Sequence, residues 1–119
     1  MSQDKSRALE EITMFTKKEA VAGVEMFPGV IRYNLAFSPG MMMVKVDLAE
    51  GKEVPAHKHE HEQIGYVLSG RLKFTVEDKT EELTAGDAYS VPANASHQAV
   101  ALEDASVLDV FYPHREDWY

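Results

Sequence analysis

His57, His59, Gln63 and His97 are spaced so that four uncharged donors can gather around one cation. The first three fall in Gly51-Lys52-Glu53-Val54-Pro55-Ala56-His57-Lys58-His59-Glu60-His61-Glu62-Gln63, with Gly70 beyond, and His97 follows Gly86-Asp87-Ala88-Tyr89-Ser90-Val91-Pro92. On a strand, side chains two apart share a face, so positions 57, 59 and 63 are expected on one side. Imidazole is the commonest protein ligand for a divalent metal, and an amide oxygen can complete the set. A lone histidine is ordinarily a surface or core residue, but this spacing favours ligation. His61 has the same parity and is expected at the rim, outside the set. Three imidazoles and an amide leave the double charge of the ion uncompensated, which favours an anionic substrate and Lewis-acid chemistry. A carboxylate at position 63 would instead lower the site charge and suit a redox iron centre.

A second chemical feature is Asp109, placed inside the apolar run Val107-Leu108-Asp109-Val110-Phe111. Burying an unpaired carboxylate costs several kcal/mol, so Asp109 needs a partner, a raised pKa or a cavity to face. The plainer alternative is a strand carboxylate paired with a lysine, an arginine or the backbone. Asp109 and Phe111 share a strand face. Met41, Met42 and Met43 read as core filler, and Tyr66 and Tyr89 as core residues at the edge of any cavity. Glu60, Glu62, Glu81 and Glu82 read as solvated faces.

These side chains need a scaffold, and the text supplies strands. From Val30 onward, short segments rich in Val, Leu, Tyr and Phe are broken every few residues by turn signals such as Ser38-Pro39-Gly40, Glu77-Asp78-Lys79 and Ala85-Gly86-Asp87. Residues 71–77 alternate polar and apolar without a slip, the period of a strand with one buried face. Ile64 to Leu68 is expected as its hairpin partner across Ser69-Gly70. Such a series of short strands, with no helical pattern in the last two thirds, predicts an all-β sandwich or barrel, because closure or doubling disposes of strand edges. Residues 1–22 are expected to form an arm carrying a short helix or edge strand, with Leu9, Ile12, Met14 and Phe15 as its apolar positions, and residues 23–119 one β-barrel domain.

A chain of 119 residues suits one domain with one core. Hydrophobic residues make up 45% and charged residues 27%, as in a folded soluble protein. The formal charge of −8 would repel phosphate backbones, so nucleic acid is not an expected partner. No apolar run approaches the roughly 20 residues that cross a bilayer, and the N-terminus lacks a signal-peptide layout, so no membrane association and a cytoplasmic location are expected. With no cysteine, any bound metal is held by nitrogen and oxygen.

The pattern Gly51, His57, His59, Gln63, Gly70, followed by Gly86, Pro92 and His97, resembles the two motifs of the cupin superfamily. Gln63 stands where cupins usually carry Glu, and Asn94 and Ala101 replace the usual Gly and Asn of the second motif. The resemblance implies a single-domain jelly-roll β-barrel holding one divalent metal (nickel, zinc, iron, manganese or cobalt), often as a homodimer. The Asp109 stretch together with residues 59–68 is similar to KdgF-type cupins of pectin and alginate breakdown, which convert 4,5-unsaturated monouronates to linear ketones. In that family a metal held by three His and one Gln lies beside an Asp, a Phe and an Arg with the relative spacing of Asp109, Phe111 and Arg115. The resemblance therefore implies an enzyme acting on a small anionic sugar acid. In it the metal would polarise an oxygen, Arg115 would grip the carboxylate, Asp109 would move a proton and Phe111 would form a dry wall. Other metalloenzymes on this barrel, such as dioxygenases and sugar or polyketide isomerases or cyclases, and a non-catalytic ligand-binding barrel are the alternatives.

Overall fold

The computed structural model describes residues 14–115 and 117; residues 1–13 of the expected arm, Leu9 and Ile12 among them, lie outside the described residues. Among the described residues a 3-10 turn, Lys18–Ala20, precedes the first strand, and Met14 and Phe15 are exposed. The strands are β1 (Val24–Phe27), β2 (Val30–Phe37), β3 (Met42–Leu48), β4 (Glu53–His57) and β5 (Glu62–Ser69), then β6 (Arg71–Val76), β7 (Lys79–Thr84), β8 (Ala88–Val91), β9 (His97–Ala101) and β10 (Ala105–Tyr112). They form a six-stranded sheet in the order β1-β2-β3-β10-β5-β8 and a four-stranded sheet in the order β4-β9-β6-β7, antiparallel throughout. This is the all-β jelly roll. Among the described residues no helix is long and apolar enough to cross a membrane.

The core lies between the sheets, and the alternation of the strands puts it there. In β3, Met42, Val44, Val46 and Leu48 are buried while the residues between them face outward; in β10, Ala105, Val107, Asp109 and Phe111 do the same. Leu72 and Phe74 of β6 and Ala99 and Ala101 of β9 close the other side. Side chains such as Leu72, with no exposed surface, each contribute about 1.5–3 kcal/mol by leaving water. Of the methionines read as filler, Met42 is core, whereas Met41 and Met43 point outward.

The expected hairpin between Ile64–Leu68 and the 71–77 strand does not form. β5 pairs with β10 and β8, and β6 pairs with β7 and β9, so the chain changes sheet at Ser69-Gly70. Gly70 has φ +81, and a Cβ there would overlap the carbonyl oxygen of Asp104 and lie 2.6 Å from the Cα of Ala105, so only glycine lets the corner pass so close to the β9–β10 connection. Alternation reveals that a segment is a strand; it carries no information on which neighbour it pairs with. The hairpin that does form is β6–β7, which turns at Glu77-Asp78.

Candidate metal centre

His57, His59 and Gln63 do not lie on one strand, as their spacing predicted. His57 ends β4, His59 sits in the connection that follows, Gln63 lies on β5 in the opposite sheet, and His97 begins β9. The structure nevertheless gathers them. His57 and His97 are register partners across β4 and β9, with ring centroids 4.2 Å apart. The His59 ring lies 4.8 Å from His97 and 5.4 Å from His57. Ligating atoms of the three histidines all fall within 4.8 Å of one another, so the triad could hold a metal ion. His97 is the floor, 4% exposed, and His57 the exposed rim. His61 stands aside, its ring 5.5 Å from that of His59.

Backbone carbonyls settle which nitrogens face inward. Nδ1 of His57 lies 2.9 Å from the carbonyl oxygen of Pro55, Nδ1 of His59 2.9 Å from that of His61, and Nδ1 of His97 3.0 Å from that of Ala95. A carbonyl only accepts, so each ring donates from Nδ1 and leaves the Nε2 lone pair free for a cation. Burial, with Arg115 nearby, lowers the pKa of His59, and burial above all drops His97 to about 4, which keeps both rings neutral as ligation demands. The buried Nε2 of His97 has no hydrogen-bond partner.

Gln63, 6% exposed, brings the fourth donor. Its amide is hydrogen bonded to Asp109, a carboxylate that only accepts, so Nε2 points there and Oε1 points away. That leaves Oε1 3.2 Å from Nε2 of His59. Two acceptors held face to face without a proton between them are the arrangement a cation resolves. The donor set thus fits a divalent ion held by nitrogen and oxygen.

Asp109 is 5% exposed and lines the same cavity. Desolvation raises its pKa to about 6, against the pull of hydrogen bonds from Tyr89 and Gln63. The Tyr89 hydroxyl donates to Oδ1 at 2.5 Å, and burial beside that carboxylate pushes the phenol well above its usual range, so it remains a donor. Phe111, two residues along the same face, sets its ring edge-on to His59 at 5.7 Å, and the Arg115 guanidinium lies over the Phe111 ring, 5.3 Å from its centroid. Arg115 also reaches Asp117 at 3.4 Å. All three expected catalytic residues therefore border one cavity of about 400 Å³, together with the four donors.

Sequence reasoning missed three features of this cavity. Tyr89 is a polar partner of Asp109 as well as a packing residue. Arg32 on β2 joins Arg115 in the lining. Val24, Met26 and Phe27 of β1 supply part of an apolar wall. Nothing in the β1 text marks it as a cavity wall; a glycine inside strand β5 signals a close approach, but only the pairing of β5 with β8 shows that Tyr89 makes it. Tyr66, by contrast, faces outward.

A barrel of two antiparallel sheets with three histidines gathered where they could hold a metal ion defines the class of small jelly rolls. The chain belongs to the cupin family: it matches the Cupin domain over residues 44–111. Within that family it is KdgF-like. The structure of KdgF from Halomonas sp. is 36% identical, with a TM-score of 0.85, over 90% of this chain and 99% of that one. An RmlC-like cupin from Shewanella frigidimarina is 33% identical, with a TM-score of 0.86, over 90% of this chain and 96% of that one. H2HPP isomerase of Bacillus subtilis is 34% identical over 109 residues, 87% of this chain; the match spans only 42% of that longer protein.

Proposed function

We propose that the protein is a metal-dependent enzyme that converts a 4,5-unsaturated monouronate to its linear ketone. The observation that carries this reading is a buried carboxylate, Asp109, hydrogen bonded to Gln63 and facing a cavity that also contains the histidine triad and Arg115. The likeness to KdgF supports it. A divalent ion held by His57, His59, Gln63 and His97 would supply Lewis acidity, withdrawing electrons from a substrate oxygen. Arg115 binds the substrate carboxylate through its two-pronged guanidinium, and its position over Phe111 aims it into the cavity. Phe111 keeps water from the reacting face. Asp109 takes the hydroxyl proton as the ring carbon–oxygen bond breaks, and returns one to the former double-bond carbon as the enol becomes a ketone. The net change is an isomerisation, so no oxidant or reductant is needed.

Incubating metal-loaded protein with an unsaturated monouronate should speed the loss of ring double-bond absorbance, and Asp109→Asn should remove that acceleration. Decay no faster than in a protein-free control would discard the reading. A second reading, isomerisation of a more apolar small acid, is favoured by the largely apolar wall of Val46, Leu48, Leu72, Phe74 and Val107 and by the H2HPP isomerase relative. A substrate panel containing both kinds of acid separates the two.

We also propose a homodimer formed through the outer face of the larger sheet. Register places Met43, Val110 and Ile64 in one row and Leu108 and Tyr66 in the next, with Ile64 58% and Tyr66 47% exposed. These apolar rows, with Lys45 beside Leu108 as their one charged neighbour by register, let two acidic copies meet with little charge repulsion at the contact.

A further inference from the structure

Asp109, Gly65 and Tyr89 form one row across three adjacent strands. Asp109 on β10 is the register partner of Gly65 on β5, and Gly65 is the partner of Tyr89 on β8. Residues in such a row stand on the same face, so Tyr89 and Asp109 look into the barrel from either side of the middle strand. Strands lie about 4.8 Å apart, which puts the two backbones roughly 10 Å from each other. For the phenol to reach the carboxylate, its ring must lie flat across β5. It does: the hydroxyl donates to Asp109 Oδ1 at 2.5 Å.

Gly65 is what makes that crossing possible. A Cβ built there would overlap Cζ, Cε1 and the hydroxyl oxygen of Tyr89. Neither a turn nor a positive φ explains this glycine, which sits mid-strand; the close approach of a neighbouring ring does. Phe74 of the opposite sheet stacks on Tyr89 with centroids 4.0 Å apart and planes 23° apart, so the ring is held between β5 and β6. Asp109 is in turn hydrogen bonded to the Gln63 amide, whose oxygen faces the histidine triad.

We infer that Tyr89 is a positioning residue, admitted by Gly65, that orients the Asp109 carboxylate and through it turns the Gln63 amide oxygen toward the histidine triad. Without the phenol, Asp109 rotates about its side-chain torsions and the amide follows, so both the proton carrier and the fourth donor lose their aim. This rests on the reading of Gln63 as ligand and Asp109 as proton carrier.

The test uses Co2+ as probe, titrated into metal-free full-length protein and followed by its visible absorption. Tyr89→Phe keeps the ring and its stack on Phe74 but removes the hydroxyl; it should weaken Co2+ binding by about tenfold. On an unsaturated monouronate, the fully loaded variant should lose kcat by about tenfold with KM little changed. In an Asp109→Ala background, which leaves the phenol no acceptor, the same substitution should change Co2+ affinity by less than about twofold, because the effect runs through Asp109. Gly65→Ala, which displaces the ring, should reproduce the Tyr89→Phe loss of Co2+ affinity. If Gly65→Ala does not fold, the comparison of Tyr89→Phe in the two backgrounds decides alone. Wild-type Co2+ affinity in Tyr89→Phe, or an equal loss with and without Asp109, overturns the inference. If the wild type turns over no uronate, the proposed reaction fails while the Co2+ measurements still judge the positioning role.

Discussion

Gln63 carries two tasks that no carboxylate can combine. Its oxygen faces the triad, and its amide group donates to Asp109. Glutamate, usual at this position in cupins, would set two carboxylates against each other and raise the Asp109 pKa further. We therefore expect Gln63→Glu to retain metal, by elemental analysis after dialysis, while turnover falls by about tenfold or more. Undiminished turnover would show that the amide donor is idle. Asp109 itself also sets a pH dependence. Burial raises its pKa to about 6, so in the fold its charged form is the disfavoured one. That costs on the order of 3 kcal/mol of stability in the metal-free protein, absent below the ordinary carboxylate pKa, growing as pH rises to about 6 and constant above it. As a base Asp109 must be ionised, so kcat/KM should fall as pH drops through about 6 or, with a cation bound close by, somewhat lower. A pH-rate profile flat through that region would remove Asp109 as the base. The triad was legible from residue spacing because metal ligation needs specific side chains. The role of Tyr89 was not, because a tyrosine in a strand reads equally as core.

At the scale of elements, the corners between the sheets decide where the donors go. Two glycines with the same φ of +81 separate backbone strain from steric fit: a Cβ on Gly51 meets nothing within 4 Å, whereas one on Gly70 meets the Asp104–Ala105 backbone. Gly51→Ala should then lower stability by about 1 kcal/mol, the left-handed penalty alone. Gly70→Ala should cost at least twice that, because backbone cannot move aside as a side chain can. Equilibrium urea unfolding of the two variants checks the ranking, and equal losses would contradict the corner argument. Alternation made β6 readable, and the composition of short apolar segments between turn signals made the other strands from Val30 onward so. Their pairing was not readable, since the expected β5–β6 hairpin and the observed sheet change have the same hydrophobic period.

For the molecule as a whole, the outward apolar rows of β3, β10 and β5 are the feature that one chain leaves exposed to water. If a second copy covers them, Ile64→Lys together with Tyr66→Lys should convert a dimer to a monomer at micromolar concentration in sedimentation velocity. A wild-type monomer would refute the pairing. Both positions point away from the cavity, so the substituted monomer should still bind metal with the affinity of the wild type.

The amino-acid sequence by itself determined the strand-rich class, the three histidines with Gln63 and the anomalous carboxylate at Asp109, because each rests on residue type and short-range spacing. Only the tertiary structure decided that β4 and β9 bring His57 and His97 side by side while β5 and β10 bring Gln63, Asp109 and Phe111 from the opposite sheet. It alone also decided that Tyr89 reaches Asp109 across Gly65. Those contacts depend on strand register and sheet partnership, which are set by long-range packing rather than by any local pattern.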